Sequence, residues 1–142
     1  MKKQSFRSLI ATASLVLGFS GVGSAHADTF GGFLGAAAGA TDVYGMTCPL
    51  STLSVRANVN DAVVAGDQIS VQVINPTGRA ATASAVDGGG PSAFATLAGG
   101  AGNYLVTVHK NAAVAEGYTV SMDCYTAAGP LAGTQSVLVQ NQ

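Results

Sequence analysis

The sequence predicts an all-β domain, an antiparallel β-sandwich of jelly-roll or immunoglobulin-like kind with about eight short strands. Three observations lead to that class. Segments of about seven residues alternate apolar and polar side chains, the period of a half-buried strand. Clusters of Gly, Pro, Asn and Asp separate them, and no stretch carries a helical period long enough for an amphipathic helix. The clearest segments are Tyr104 to Lys110 and Tyr118 to Cys124, a pair joined by the turn-prone 111–117. Tyr104, Val106, Val108, Tyr118, Val120, Met122 and Cys124 are expected inward, whereas Thr107, His109, Thr119, Ser121 and Asp123 are expected outward. Leu105 breaks the alternation.

The chain opens with the pattern of a secretory signal. Lys2, Lys3 and Arg7 precede the apolar Leu9 to Val22, and Ala25-His26-Ala27 supplies a small-x-small cleavage site. Residues 1–27 are therefore expected to be removed on export, leaving a secreted or periplasmic protein with no membrane anchor. Residues 28–40 follow, apolar but rich in Gly and Ala and without a period, so they are expected to be a flexible arm. A sharper alternative makes this arm an added strand on another subunit's sheet, with Phe30, Phe33 and Leu34 as anchors.

The β-domain is then expected over 41–142. Thr41 to Cys48 alternates, with Asp42, Tyr44, Met46 and Cys48 on one parity, and Pro49 ends it. Thr52 to Val59 places Leu53, Val55, Ala57 and Val59 inward, and Gln68 to Ile74 does the same with Ile69, Val71 and Val73. Asn75-Pro76-Thr77-Gly78 is a strong turn signal, since Pro presets φ and Gly accepts positive φ. Ala80 to Val86 and Ser92 to Leu97 are weaker strands around a Gly-rich loop, the second expected to be held by Phe94. A last strand is expected near Gln135 to Gln140.

Composition narrows the partners. Only 9% of the residues are charged, against about 25% in ordinary soluble domains. Without residues 1–27 the cations are Arg56, Arg79 and Lys110 against all seven acids, so no basic patch is available for nucleic acid or an anionic membrane. A surface built from Thr, Ser, Asn, Gln, Ala and Gly puts little repulsion between copies. Cys48 and Cys124 are the chain's two cysteines. Export favours their pairing as a disulfide, and a loop of that length gives about 4 kcal/mol in the chain-entropy account.

The stretches Ile69 to Gly78, Leu97 with its Gly-rich loop, Gly102-Asn103-Tyr104 to Val108, and Gly117-Tyr118 to Ser121 together resemble the bacterial pre-peptidase C-terminal domain. The resemblance covers roughly Leu53 to Cys124 and rests on short motifs. It implies a jelly-roll-like sandwich that accompanies secreted hydrolases as an accessory or binding module. No peptidase segment precedes it in this sequence. Some members bind calcium through acidic residues near the N-terminal edge, where this chain offers Asp42 without an acidic cluster.

Catalytic chemistry finds no support. His109 is the sole histidine after residue 27, no Gly-x-Ser-x-Gly elbow occurs, and Gly88-Gly89-Gly90 lacks the Gly-Lys-Ser/Thr of a phosphate cradle. Asp61, Asp67 and Asp87 lie in loops but lack calcium-loop spacing. Met46, Cys48, Met122 and Cys124 form a soft set suited to copper(I) if the thiols stay reduced, although two Met beside a disulfide is also ordinary core filling. The expected function is thus non-enzymatic. Without a cofactor, the module binds an extracellular polymer, a cell surface or a protein, or assembles with itself; a small periplasmic copper-binding protein is the alternative.

Overall fold

The computed structural model describes residues 27–61, 68–132 and 134–142. The expected secretory signal, apart from Ala27, and Asp67 lie outside the described residues. The strands are β1 (Asp28–Leu34), β2 (Thr41–Cys48), β3 (Ser54–Asp61), β4 (Ile69–Ile74), β5 (Ala80–Ser84), β6 (Gly90–Pro91), β7 (Ala95–Ala98), β8 (Gly102–Lys110), β9 (Glu116–Thr126), β10 (Gly129–Pro130) and β11 (Gln135–Gln140). One sheet has the order β1-β9-β3-β6, with β7 also on β3 and β10 on β9, and the other runs β11-β2-β8-β4-β5. Every pairing is antiparallel.

The two sheets face each other across one core, so the molecule is a β-sandwich. Tyr44, Met46, Val55, Val59, Ile69, Val71, Val73, Val106, Val108, Val120 and Met122 are all buried. The β8–β9 pair that dominates the sequence is not a hairpin. β8 belongs to the five-stranded sheet and β9 to the six-stranded one, and the chain crosses between layers at 111–115. Their inward residues meet over the core, which satisfies the same alternation as a hairpin would. The turn at Asn75 to Gly78 joins β4 to β5, with Asn75 Oδ1 accepting from the amides of Thr77 and Arg79 and Gly78 at φ 80°.

Residues 28–34 are not a flexible arm. They pair with β9 from Asp28 opposite Met122 to Leu34 opposite Glu116, and Leu34 is fully buried. The domain therefore starts at β1 and not at Thr41. Of the three expected anchors, Leu34 enters the core and the Phe30 ring lies 5.3 Å from that of Tyr44, while Phe33 is 59% exposed. The inward positions are Phe30, Gly32 and Leu34. Gly32 hides the period because the Tyr118 ring occupies the space of its missing side chain: a Cβ there would fall 2.2 Å from Tyr118 Cζ.

Three facings also differ from the alternation. Leu53 is exposed and Thr52 buried, because Thr52 Oγ1 donates to Pro49 O at 2.7 Å in a tight turn and β3 starts only at Ser54. Phe94 is 52% exposed, so β7 is held inward by Ala95 and Leu97. Asp123 is buried although its parity points out, for a reason found in the neighbouring loop.

Candidate functional site

β2 and β9 run in the same direction on opposite sides of the core, and two cross-links join them. At one end Cys48 and Cys124 form a disulfide, with Cα atoms 5.7 Å apart. At the other, the Tyr118 hydroxyl donates to Asp42 Oδ2 at 2.5 Å and accepts from the Tyr44 hydroxyl at 2.7 Å. Asp42 Oδ1 accepts from the Gln142 amide at 2.8 Å. Burial pushes the Tyr118 phenol far above its ordinary value, and the bonds with Asp42 and Tyr44 push it the same way. Burial likewise raises Tyr44. These groups are bonded to one another and buried, which suits a structural tie between the two layers.

The disulfide also decides what the soft set can do. With Cys48 and Cys124 bonded to each other, Met46 and Met122 keep only thioethers, and no thiolate is left to join them. Among the described residues, no group of three or more His, Cys, Asp or Glu could hold a metal ion.

His109 lies on the outward side of β8, between Thr41 of β2 and Ser70 of β4 in register. Ser70 Oγ bonds to Ser84 Oγ at 2.7 Å, so the adjacent hydroxyl is committed elsewhere. Lys110, one residue on, is buried. Its Nζ donates to the carbonyls of Ala37, Ala112 and Val114, organising the two loops that cap this end of the sandwich. Its inward parity follows from that of Val106 and Val108, so the burial was legible although the partners were not.

The outward side of the six-stranded sheet carries the most varied chemistry. Arg56 of β3 stands opposite Asp123 of β9, but its guanidinium stacks on Tyr125, with Cζ 4.4 Å from the ring centroid. That contact is a cation–π pair. A groove of about 200 Å³ opens beside it, lined by Arg56, Asn58, Phe94, Ser121, Met122, Asp123 and Tyr125 and by Ala27, the residue that the expected cleavage would remove. Arg56 Nε and Asp123 Oδ2 are buried and have no hydrogen-bond partner.

Asp123 is positioned by the loop that follows β9. Its Oδ1 accepts from the Cys124 amide at 2.7 Å and from Thr134 Oγ1 at 2.7 Å, which draws the carboxylate down against the chain. Burial pushes its carboxyl above the ordinary value and Asp28 adds to the effect, against the lowering by those two hydrogen bonds. The groove thus combines an exposed aromatic edge, a stacked guanidinium, the Asp123 carboxyl and uncharged amide and hydroxyl groups. It can bind a polar ligand.

The sequence pointed to none of Arg56, Phe94 and Tyr125 as partners. They come from β3, the β6–β7 connection and the end of β9, and only the strand order brings them together. No protein-family model and no curated protein matches this chain.

Proposed function

We propose that the chain is a secreted, non-enzymatic β-sandwich module that binds an extracellular polymer through the outer side of its six-stranded sheet. The observation that carries this reading is the arrangement of Phe94 beside Arg56 stacked on Tyr125, in a shallow groove that Asn58, Ser121 and Asp123 also line. A sheet face with an exposed aromatic ring and fixed planar donors suits a chain of sugar rings: the ring takes the apolar C–H faces and the guanidinium takes hydroxyl, amide or carboxylate oxygens. Low charge on the rest of the surface agrees with an uncharged or weakly charged polymer. The Asn75 to Gly78 turn and Gly102 to Tyr104 at the start of β8 support an accessory role of the pre-peptidase C-terminal kind.

Affinity electrophoresis through gels containing soluble neutral or acidic polysaccharides tests the proposal. The purified chain should be retarded by at least one of them, and Phe94→Ala and Tyr125→Ala should each migrate as in a polymer-free gel while melting near the wild-type temperature. Retardation that both variants retain, or none in any gel, would overturn it.

A further inference from the structure

Asp123 is 1% exposed, and its Oδ2 has no hydrogen-bond partner although Oδ1 takes two. A buried carboxylate oxygen left in that state is costly unless a cation or donor reaches it. After residue 27 the side chains supply three cations, and none of them fills the place. Arg56 stands opposite Asp123 but stacks on Tyr125, and its Nε is itself unpartnered. Lys110 donates to the carbonyls of Ala37, Ala112 and Val114. Arg79 directly precedes β5, in the other sheet.

The start of β1 points to a cation that is not a side chain. β1 begins at Asp28, which is also the first residue that cleavage after Ala25-His26-Ala27 would leave. Asp28 lies opposite Met122, so its backbone nitrogen is on the side of the next position of β9, which is Asp123. Ala27, joined to that nitrogen, is exposed and lines the same groove as Asp123. We infer that hydrolysis of the Ala27–Asp28 bond turns this nitrogen into an α-ammonium that pairs with Asp123 Oδ2, making the mature N-terminus a built part of the groove.

The chemistry needs only water and a protease that removes secretory signals. The C–N bond breaks, the water oxygen goes to the new carboxylate of Ala27, and the Asp28 nitrogen leaves as an amine that is protonated at neutral pH, since an α-amino group titrates at about 7.7–8. Loss of Ala27 also takes one wall from the groove, so the cut that creates the cation widens the space beside Arg56. β1 is untouched, because its pairing with β9 begins at Asp28. The charged groups around the ammonium are then Asp123 on β9, Arg56 on β3 and the carboxylate of Asp28 itself, which acts on Asp123 as a like charge. Two carboxylates outweigh one guanidinium there. The pair does not depend on what the groove binds.

Export of the full chain from a bacterial host, followed by N-terminal sequencing and isotope-labelled reductive methylation of its amines, tests the pair. The exported protein should begin Asp-Thr-Phe-Gly. NMR titration of the labelled α-amine should give a midpoint about one pH unit or more higher in the folded protein than in urea, the shift expected beside an opposite charge. Asp123→Asn should abolish that difference. Asp28→Asn should keep it, which decides the matter even where Asp123→Asn does not fold. A different first residue, equal midpoints in the folded and urea-unfolded wild type, a difference that survives in folded Asp123→Asn, or one that vanishes in Asp28→Asn would each overturn the inference.

Discussion

The Tyr118 hydroxyl donates to Asp42 Oδ2 across the sandwich, at the far end of the same two strands that Cys48 and Cys124 join. Since Tyr118 gives its proton to the carboxylate, Tyr44 must be the donor in the 2.7 Å bond between the two phenols. Proton direction is therefore fixed from Tyr44 to Tyr118 to Asp42, and the two tyrosines are not equivalent. Tyr118→Phe strips a partner from both neighbours and should cost about 1–3 kcal/mol for the buried carboxylate oxygen it orphans. Tyr44→Phe leaves the Tyr118–Asp42 bond intact and should cost less. Urea unfolding of both variants gives the order, and a larger loss for Tyr44→Phe would reverse the assigned direction.

The same buried phenols set an alkaline limit. Tyr44, Tyr104 and Tyr118 all have folded values raised above the ordinary 10.0, in each case chiefly by burial. A raised folded value means that the stability is complete below the unfolded value and declines as pH climbs past it, because only the unfolded chain releases the protons. Stability should thus be level on the acid side of pH 10.0 with respect to these groups and fall above it. Tyr118→Phe should make that fall shallower. Melting temperatures across the alkaline range, for both proteins, measure the slope; equal slopes would remove Tyr118 from the account.

The disulfide should matter more than its single bond suggests. It closes a loop over a sequence separation of 76 and joins the two layers at the end of β9 beside Val55 of β3. Loss of such a bridge from a small domain costs about 2–5 kcal/mol. Cys48→Ala with Cys124→Ala should lower the urea midpoint accordingly while leaving the β-sheet circular dichroism of the folded protein in place. A double variant as stable as the wild type would mean that the hydrogen-bonded end alone holds the layers.

The fold class and the central strands were legible because alternation is a local signal: β2, β4 and β11 begin and end within a residue of where the pattern places them, and β8 begins two residues earlier. Cys48 and Cys124 could be paired on parity and expected export alone. The groove was not legible, since Arg56, Phe94 and Tyr125 meet only through strand order, which alternation does not encode. Asp123 escaped for another reason. Two hydrogen bonds from its own neighbour and from Thr134 overrule its parity, and such local bonds leave no period. At Leu53 a threonine turn shifted the start of β3, and at β1 the signal was erased by a glycine whose role is to be absent.

That glycine gives the sharpest test of where the domain starts. Gly31 and Gly32 are adjacent in β1, and neither has a positive φ, so backbone strain does not separate them. Their surroundings do. A Cβ on outward-facing Gly31 has only the Tyr118 carbonyl, at 4.0 Å, within reach, whereas one on Gly32 would fall 2.2 Å from Tyr118 Cζ. The ring cannot simply swing aside, because its hydroxyl is held by Asp42 and Tyr44. Gly31→Ala should be neutral or stabilising by up to about 1 kcal/mol through lost unfolded-state freedom. Gly32→Ala should destabilise by about 1–3 kcal/mol, the usual cost of overpacking. Thermal melts of the two variants decide the matter: a docked β1 requires them to differ in sign or size as stated, and identical behaviour would return residues 28–40 to the status of an arm.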